Sequence, residues 1–382
     1  MMARLAAFFA FIIAACAPAL LQAQDAATVG AIVERTFASL IKEHEVPGLA
    51  VGVTAGGRQH LFYYGVASKE TGAAVNADTL FEIASITKPF TATLAGYAQA
   101  QGKLSFDDHP GQYLPALRDT AIDKASLINL ATYTAGLPLH LPNAIKTFAE
   151  AESFIATLKI KTAPGEMRLY SNPSIGLLGH VTALAMNGDF TSLMETQLLP
   201  KLGVRGCFIR VPEAREQDYA QGYKGKTPRR MGLAVFGEEA YGLKCSAPAL
   251  LRFVEDNIRP DRLEPALARA VAATHVGYFR VGGMVQGMGW EQYPWPVTLK
   301  RLLAGNSNDM IFKPNAATHL DPPRAPSGPT LFNKTGSTAA FSAYVAFVPA
   351  HQLGIVILAN KNIPTPARIT AAHAVLEALA KR

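Results

Sequence analysis

The sequence predicts an α/β protein: an antiparallel sheet flanked by helices and built from both chain ends, with a mostly helical domain inserted between them. Three observations carry this reading. Strand-like apolar stretches lie near both termini, at Leu49–Thr54 and His60–Val66 and again at Ala343–Val348 and Gly354–Leu358. Helical apolar spacing precedes the first pair and follows the last. The stretch from Leu80 to Leu202 reads mostly as helices, which suits an insertion between two halves of one sheet.

In chain order, Met1 to Ala23 reads as a secretory signal peptide. Arg4 supplies a positive start, Leu5 to Ile13 an apolar segment, and Leu21-Gln22-Ala23 a small-residue cleavage site. The expected location is the periplasm. Ile13-Ala14-Ala15-Cys16 also fits a lipoprotein signal anchored at Cys16, a rival reading of the same residues. No later segment reaches ~18 uninterrupted apolar residues, so no membrane span is expected once the signal is removed. Asp25 can cap a first helix that carries Val29, Ile32, Val33, Phe37, Leu40 and Ile41 at three–four spacing. The first two strands turn around Gly56-Gly57. Helices are expected at Thr91–Gln101, Thr147–Leu158 and Ile175–Met186. Residues 205–240 and 257–330 are rich in Pro, Gly and Arg and only weakly patterned. Pro349–Gln352 supplies the turn between the last two strands, and Pro366–Leu379 closes the chain as a helix. The implied division is 24–80 with 205–382 as the sheet domain and 81–204 as the helical domain, with a cleft between them.

Composition narrows the function classes. Of 382 residues 49% are hydrophobic and 17% charged, so the chain can bury a large core and is not disordered. Three cysteines in this length exclude a disulfide scaffold. The net charge of +7 invites a nucleic-acid reading, but the basic residues are scattered. The one short run, Lys224 to Arg230, reads as a solvated loop, so no nucleic-acid partner is expected. The histidines show no metal-ligand spacing, and no metal or cofactor is implied. Cys207 and Cys245 remain after signal removal; export makes a disulfide between them possible, and two buried thiols are an equal alternative.

Three short motifs carry chemistry. Ser85-Ile86-Thr87-Lys88 opens a helical run, which puts a hydroxyl and an ammonium on one face near a helix N-terminus. A serine needs such a neighbour to become nucleophilic. Pro89 is tolerated in the first turn. Tyr170-Ser171-Asn172 offers a phenol whose proton is more easily lost beside lysines, and an amide with both donor and acceptor. Lys334-Thr335-Gly336-Ser337 precedes the strand at Ala343. There a lysine on an edge strand can hold a carboxylate, Gly336 can leave room for a substrate against the backbone, and the Ser337 N–H can point at an oxyanion.

The order and context of these motifs resemble the serine β-lactamases and penicillin-binding proteins. Longer stretches make the resemblance to class C (AmpC-type) β-lactamases specific: Leu130 to Gly136, Ile209 to Ala214, Glu239 to Lys244, and the run from Lys334 through Phe347 to Asn362. The resemblance spans essentially the whole chain after the signal. It implies a β-lactam hydrolase, active as a monomer on a small-molecule substrate. By the same resemblance, Ser85 attacks the lactam carbonyl to form an acyl-enzyme, and Lys88 and Tyr170 share proton transfer, the general base being open between them. The N–H groups of Ser85 and Ser337 form the oxyanion hole. Asn172 contacts the substrate side chain, Lys334 and Thr335 steer the carboxylate, and Tyr241 lines the pocket.

Departures from the family pattern are expected to bear on substrate preference. Ala339-Ala340-Phe341-Ser342 replaces a glycine- or asparagine-containing segment. Thr365 stands where an asparagine helps bind the carboxylate, with Arg368 kept. His140 replaces a glutamine in the pocket and can titrate near neutral pH or simply form a polar wall. The rival activities are a DD-peptidase, which shares the acylation but holds its acyl-enzyme, a serine esterase of the same fold, and a non-catalytic muropeptide sensor.

Overall fold

The computed structural model describes residues 26–381. The signal segment, Cys16 and the expected Asp25 cap lie outside them. Helix α1 (residues 26–43) leads into β1 (Gly48–Ala55) and β2 (Arg58–Gly65). Next come α2 (Thr87–Ala100), α3 (Phe148–Ala156) and α4 (Asn172–Ala185). They are followed by α5 (Gly237–Tyr241), α6 (Ala247–Ile258) and α7 (Pro265–Thr274). The further strands of the main sheet are β3 (Gly277–Val281), β4 (Met284–Gln286), β5 (Glu291–Pro294), β6 (Thr318–Arg324), β7 (Thr330–Ser337), β8 (Ser342–Val348) and β9 (Leu353–Ala359). Helix α8 (Thr365–Ala380) closes the chain.

These nine strands form one sheet in the order β6-β3-β4-β5-β7-β8-β9-β1-β2. Every neighbouring pair is antiparallel, and β9 pairs directly with β1, so the two chain ends meet in the sheet as expected. Period two decides which side chain goes where. On β8, Tyr344, Ala346 and Val348 join a core cluster with Val29, Val33 and Phe37 of α1 and Ile369, Val375 and Leu376 of α8. The alternate residues Ala343, Val345 and Phe347 join a second cluster with Leu250, Leu251 and Phe253 of α6. Helices therefore cover both faces, which is why the central strands read as unbroken apolar runs.

The weakly patterned stretch 257–330 is where the structure departs most from expectation. It supplies four of the nine strands, β3 to β6, together with α7. These strands are short and punctuated by Gly282, Gly283, Pro294, Pro322 and Pro323, which hides the alternation. Two prolines are tolerated in β6 because it is the sheet edge and is largely exposed. Helix α7 packs along α2 so closely that a Cβ on Gly96 would lie 2.9 Å from the Ala270 carbonyl oxygen. The helical layer thus draws on downstream residues as well as the middle of the chain.

Cys207 and Cys245 sit directly opposite on a small three-stranded sheet and are joined by a disulfide, with Cα atoms 4.1 Å apart. The third strand of that sheet, Phe81–Glu82, leads into Ser85. No helix among the described residues is long and apolar enough to cross a membrane.

Candidate active site

Ser85 lies in a 3-10 turn, Ala84–Ile86, that runs straight into α2. Ala84 has φ +49°, a left-handed conformation unusual for a residue with a Cβ, and it re-aims the chain just before the serine. Helix α2 begins at Thr87, earlier than its apolar spacing suggests, with Pro89 in the first turn. One turn on from Ser85, Lys88 is fully buried. Its ammonium donates to Ser85 Oγ at 2.9 Å, Asn172 Oδ1 at 2.7 Å and the Ala240 carbonyl at 2.9 Å. All three N–H bonds of a lysine are thereby used.

The second motif is held by helix capping. Ser171 is the N-cap of α4, its Oγ accepting from the Ser174 N–H at 3.0 Å and donating to the Pro138 carbonyl at 2.6 Å. This fixes Tyr170 just before the helix and Asn172 in its first turn. The Tyr170 ring is surrounded by cations: Lys334 Nζ is 4.8 Å from its centroid, Lys88 Nζ 5.0 Å and the Arg168 guanidinium carbon 5.6 Å. Burial alone would push this phenol up. Lys334, Lys88 and a hydrogen bond with Ser85 together outweigh it and bring the phenol down to about 8. Burial also lowers Lys88, with Tyr170 opposing and Lys334 assisting, to about 8.

The third motif corrects two expectations. β7 is a central strand, between β5 and β8, not an edge. Its pairing with β5 ends at Asn333, because β5 is four residues long, so Lys334 to Ser337 still present a free side. Gly336 does not leave room for substrate. A Cβ there would sit 2.1 Å from the Ile83 carbonyl oxygen, so the missing side chain lets β7 press against the segment carrying Ser85.

Ser85, Tyr170, Lys334, Thr335, Ser337 and Thr365 line one cavity of about 360 Å³. Tyr241 lines an adjoining cavity of about 450 Å³, and His140 and Asn172 line both. Arg368 was expected at the substrate but is buried behind β7. Its guanidinium donates to Gly336 O at 2.6 Å, Ala343 O at 2.6 Å, Ser337 Oγ at 2.8 Å and Thr365 Oγ1 at 2.9 Å, so it braces the strand. Ala340 and Phe341 also point into the core rather than the cleft. His140 is held below its ordinary value by partial burial and by Lys88, which disfavours its protonated form.

Two buried charges escaped the sequence reading. Glu291 Oε1 pairs with Arg168 Nη2 at 3.3 Å and lies 3.9 Å from Lys334 Nζ, beneath the cavity. Arg168 carried a usable signal: in an extended segment it lies on the same side as Tyr170, two residues on. Glu291 carried none, being a lone carboxylate in an unpatterned stretch.

This constellation now meets its relatives. The sequence model of the Beta-lactamase family matches residues 33–380. The chain belongs to the beta-lactamase family. It is 49% identical over 350 residues to a β-lactamase of Pseudomonas fluorescens, covering 91% of this chain and 98% of that one. A crystal structure of a D-alanine carboxypeptidase AmpC from Burkholderia cenocepacia aligns with TM-score 0.88 at 45% identity, covering 92% and 99% of the two chains. A class C β-lactamase in complex with cefoxitin aligns with TM-score 0.90 at 39% identity, covering 93% and 99%. The class C resemblance and the serine β-lactamase fold expected from the sequence are borne out for this β-lactamase-family chain.

Proposed function

We propose that this β-lactam hydrolase works through an acyl-enzyme on Ser85. The observation that carries the reading is the saturated ammonium of Lys88. Because Ser85 Oγ accepts one of its three hydrogen bonds, the serine's own proton is free to turn toward Tyr170. Ser85 Oγ attacks the lactam carbonyl carbon, and its proton passes to the oxygen of the Tyr170 phenolate, the form that the flanking cations favour. The backbone N–H groups of Ser85 and Ser337 hold the developing oxyanion. The carbon–nitrogen bond of the ring then breaks, the nitrogen takes up the proton held by Tyr170, and water adds to the Ser85 ester, releasing the product acid and restoring the Ser85 hydroxyl. Lys334 and Thr335 hold the substrate carboxylate, while Asn172, His140 and Tyr241 face its side chain. Thr365 completes the carboxylate end, and Arg368 acts through Ser337 rather than by contact.

The Burkholderia relative is a D-alanine carboxypeptidase, and that likeness favours one second reading, the same activity here. Turnover of a chromogenic cephalosporin with no persisting adduct by intact mass supports hydrolysis; a stable penicilloyl adduct on the native chain supports the peptidase. Ser85→Ala should lose essentially all turnover, and undiminished turnover in that variant would overturn the assignment. The same reading has residues 1–23 removed on export, the enzyme acting as a monomer in the periplasm, and antibiotic resistance as the result. N-terminal sequencing and size-exclusion chromatography of the secreted protein test those parts.

A further inference from the structure

Three contacts clip the loop before His140 to the start of α4. Ser171 Oγ donates to Pro138 O at 2.6 Å, the Asn172 N–H donates to Leu139 O at 3.0 Å, and Asn172 Nδ2 lies 3.2 Å from His140 Nδ1. The last contact has a determined polarity. Asn172 Oδ1 accepts from Lys88, so Nδ2 is the atom turned outward. An amide nitrogen can only donate, so His140 Nδ1 must accept, and the ring must carry its proton on Nε2. One Asn172 N–H is then spent on His140, which fixes the amide plane and leaves the second N–H for a substrate.

We propose that His140 is a positioning residue for Asn172, and that through this amide it aligns Lys88 with Ser85 only while the imidazole is neutral. Protonation places a hydrogen on Nδ1 and sets two donors against each other. The Asn172 amide must then turn or withdraw, and either movement disturbs the acceptor on which Lys88 depends. The groups around the ring resist that protonation. Lys88 stands behind Asn172, Arg168, Tyr170, Glu291 and Lys334 line one adjoining cavity, and Lys146 and Tyr241 line the other. Four cations against one carboxylate disfavour a further positive charge, in keeping with the lowered imidazole.

The inference rests on the reading of the cleft as an acylation site, and the experiment separates the two. Wild type, His140→Gln and His140→Leu are compared by kcat/KM for a chromogenic cephalosporin at about pH 7.5 and about pH 5.5, alone and in an Asn172→Ala background. A glutamine oxygen can accept from Asn172 but does not titrate. The wild-type drop between the two pH values should exceed that of His140→Gln by about twofold, a gap that closes in the Asn172→Ala background. His140→Leu, with no acceptor, should fall below His140→Gln at neutral pH. Equal drops in wild type and His140→Gln, or a gap that persists without Asn172, would overturn the role of His140. Retained turnover in Ser85→Ala would instead overturn the acylation reading itself.

Discussion

The floor and the mouth of the cleft are built on opposite terms. At the floor, Lys88, Lys334, Arg168 and Glu291 are buried, and each is tied to a neighbouring polar group. At the mouth, His140, Lys146 and Phe312 reach solvent, with Phe312 64% exposed. Buried charges are costly to leave unpaired, so the floor can change little without failing. Exposed groups are weakly coupled to the rest of the molecule. Reaction chemistry should thus be fixed by the floor, while substrate preference shifts at the mouth.

The sharpest way to break this contrast is at Tyr170. Tyr170→Phe keeps the ring among its cations but removes the proton acceptor, and kcat/KM should fall by roughly 10²- to 10⁴-fold. A loss smaller than tenfold would move the base role to Lys88. Next in size is Lys334→Ala. If Lys334 holds the substrate carboxylate as proposed, its loss should cost about 10- to 100-fold in kcat/KM. Because Lys334 also holds the Tyr170 phenol down, the acid side of the rate profile should move to higher pH.

A third test probes the support beneath the floor. Glu239 is buried beside Ala240, whose carbonyl accepts from Lys88, and its Oε2 has no hydrogen-bond partner. Burial pushes its carboxyl from 4.5 up to about 8. The folded state therefore keeps a proton that the unfolded chain releases near its ordinary value. This stability is fully present below about 4.5 and is lost as pH rises through about 8. Wild-type Tm should fall across that window, and Glu239→Gln, which stays neutral, should flatten the fall. The smallest effect is expected at the mouth: Phe312→Ala should alter kcat/KM by only about threefold, with a sign that depends on the substrate. A uniform hundredfold loss there would erase the distinction.

How much could be read beforehand follows the same division. Ser85, Lys88, Tyr170 and Lys334 were legible because each lies in a short motif whose spacing places two functional groups together. β1, β8 and β9 were legible because both of their faces are apolar. Glu291 was not, since its role comes from β5 pairing with β7, a contact between Glu291 and Asn333 across 42 residues. Gly336 was legible as a close approach, but only the fold shows that the backbone at Ile83 fills the space. Arg368 was misplaced because sequence says which residues are near the end of the chain, not which side of a strand they reach.

The small sheet that carries the disulfide has a further consequence. Cys245 lies opposite both Cys207 and Phe81, and Phe81 stands four residues before Ser85. By chain-entropy reasoning, a link closing a 38-residue loop contributes about 4 kcal/mol. The covalent clamp is thus one strand pairing away from the segment that leads into Ser85. Synthesised where thiols stay reduced, the same chain would lose that clamp and hold Ser85 on a looser hinge. Oxidising surroundings are in this sense part of the architecture of the site.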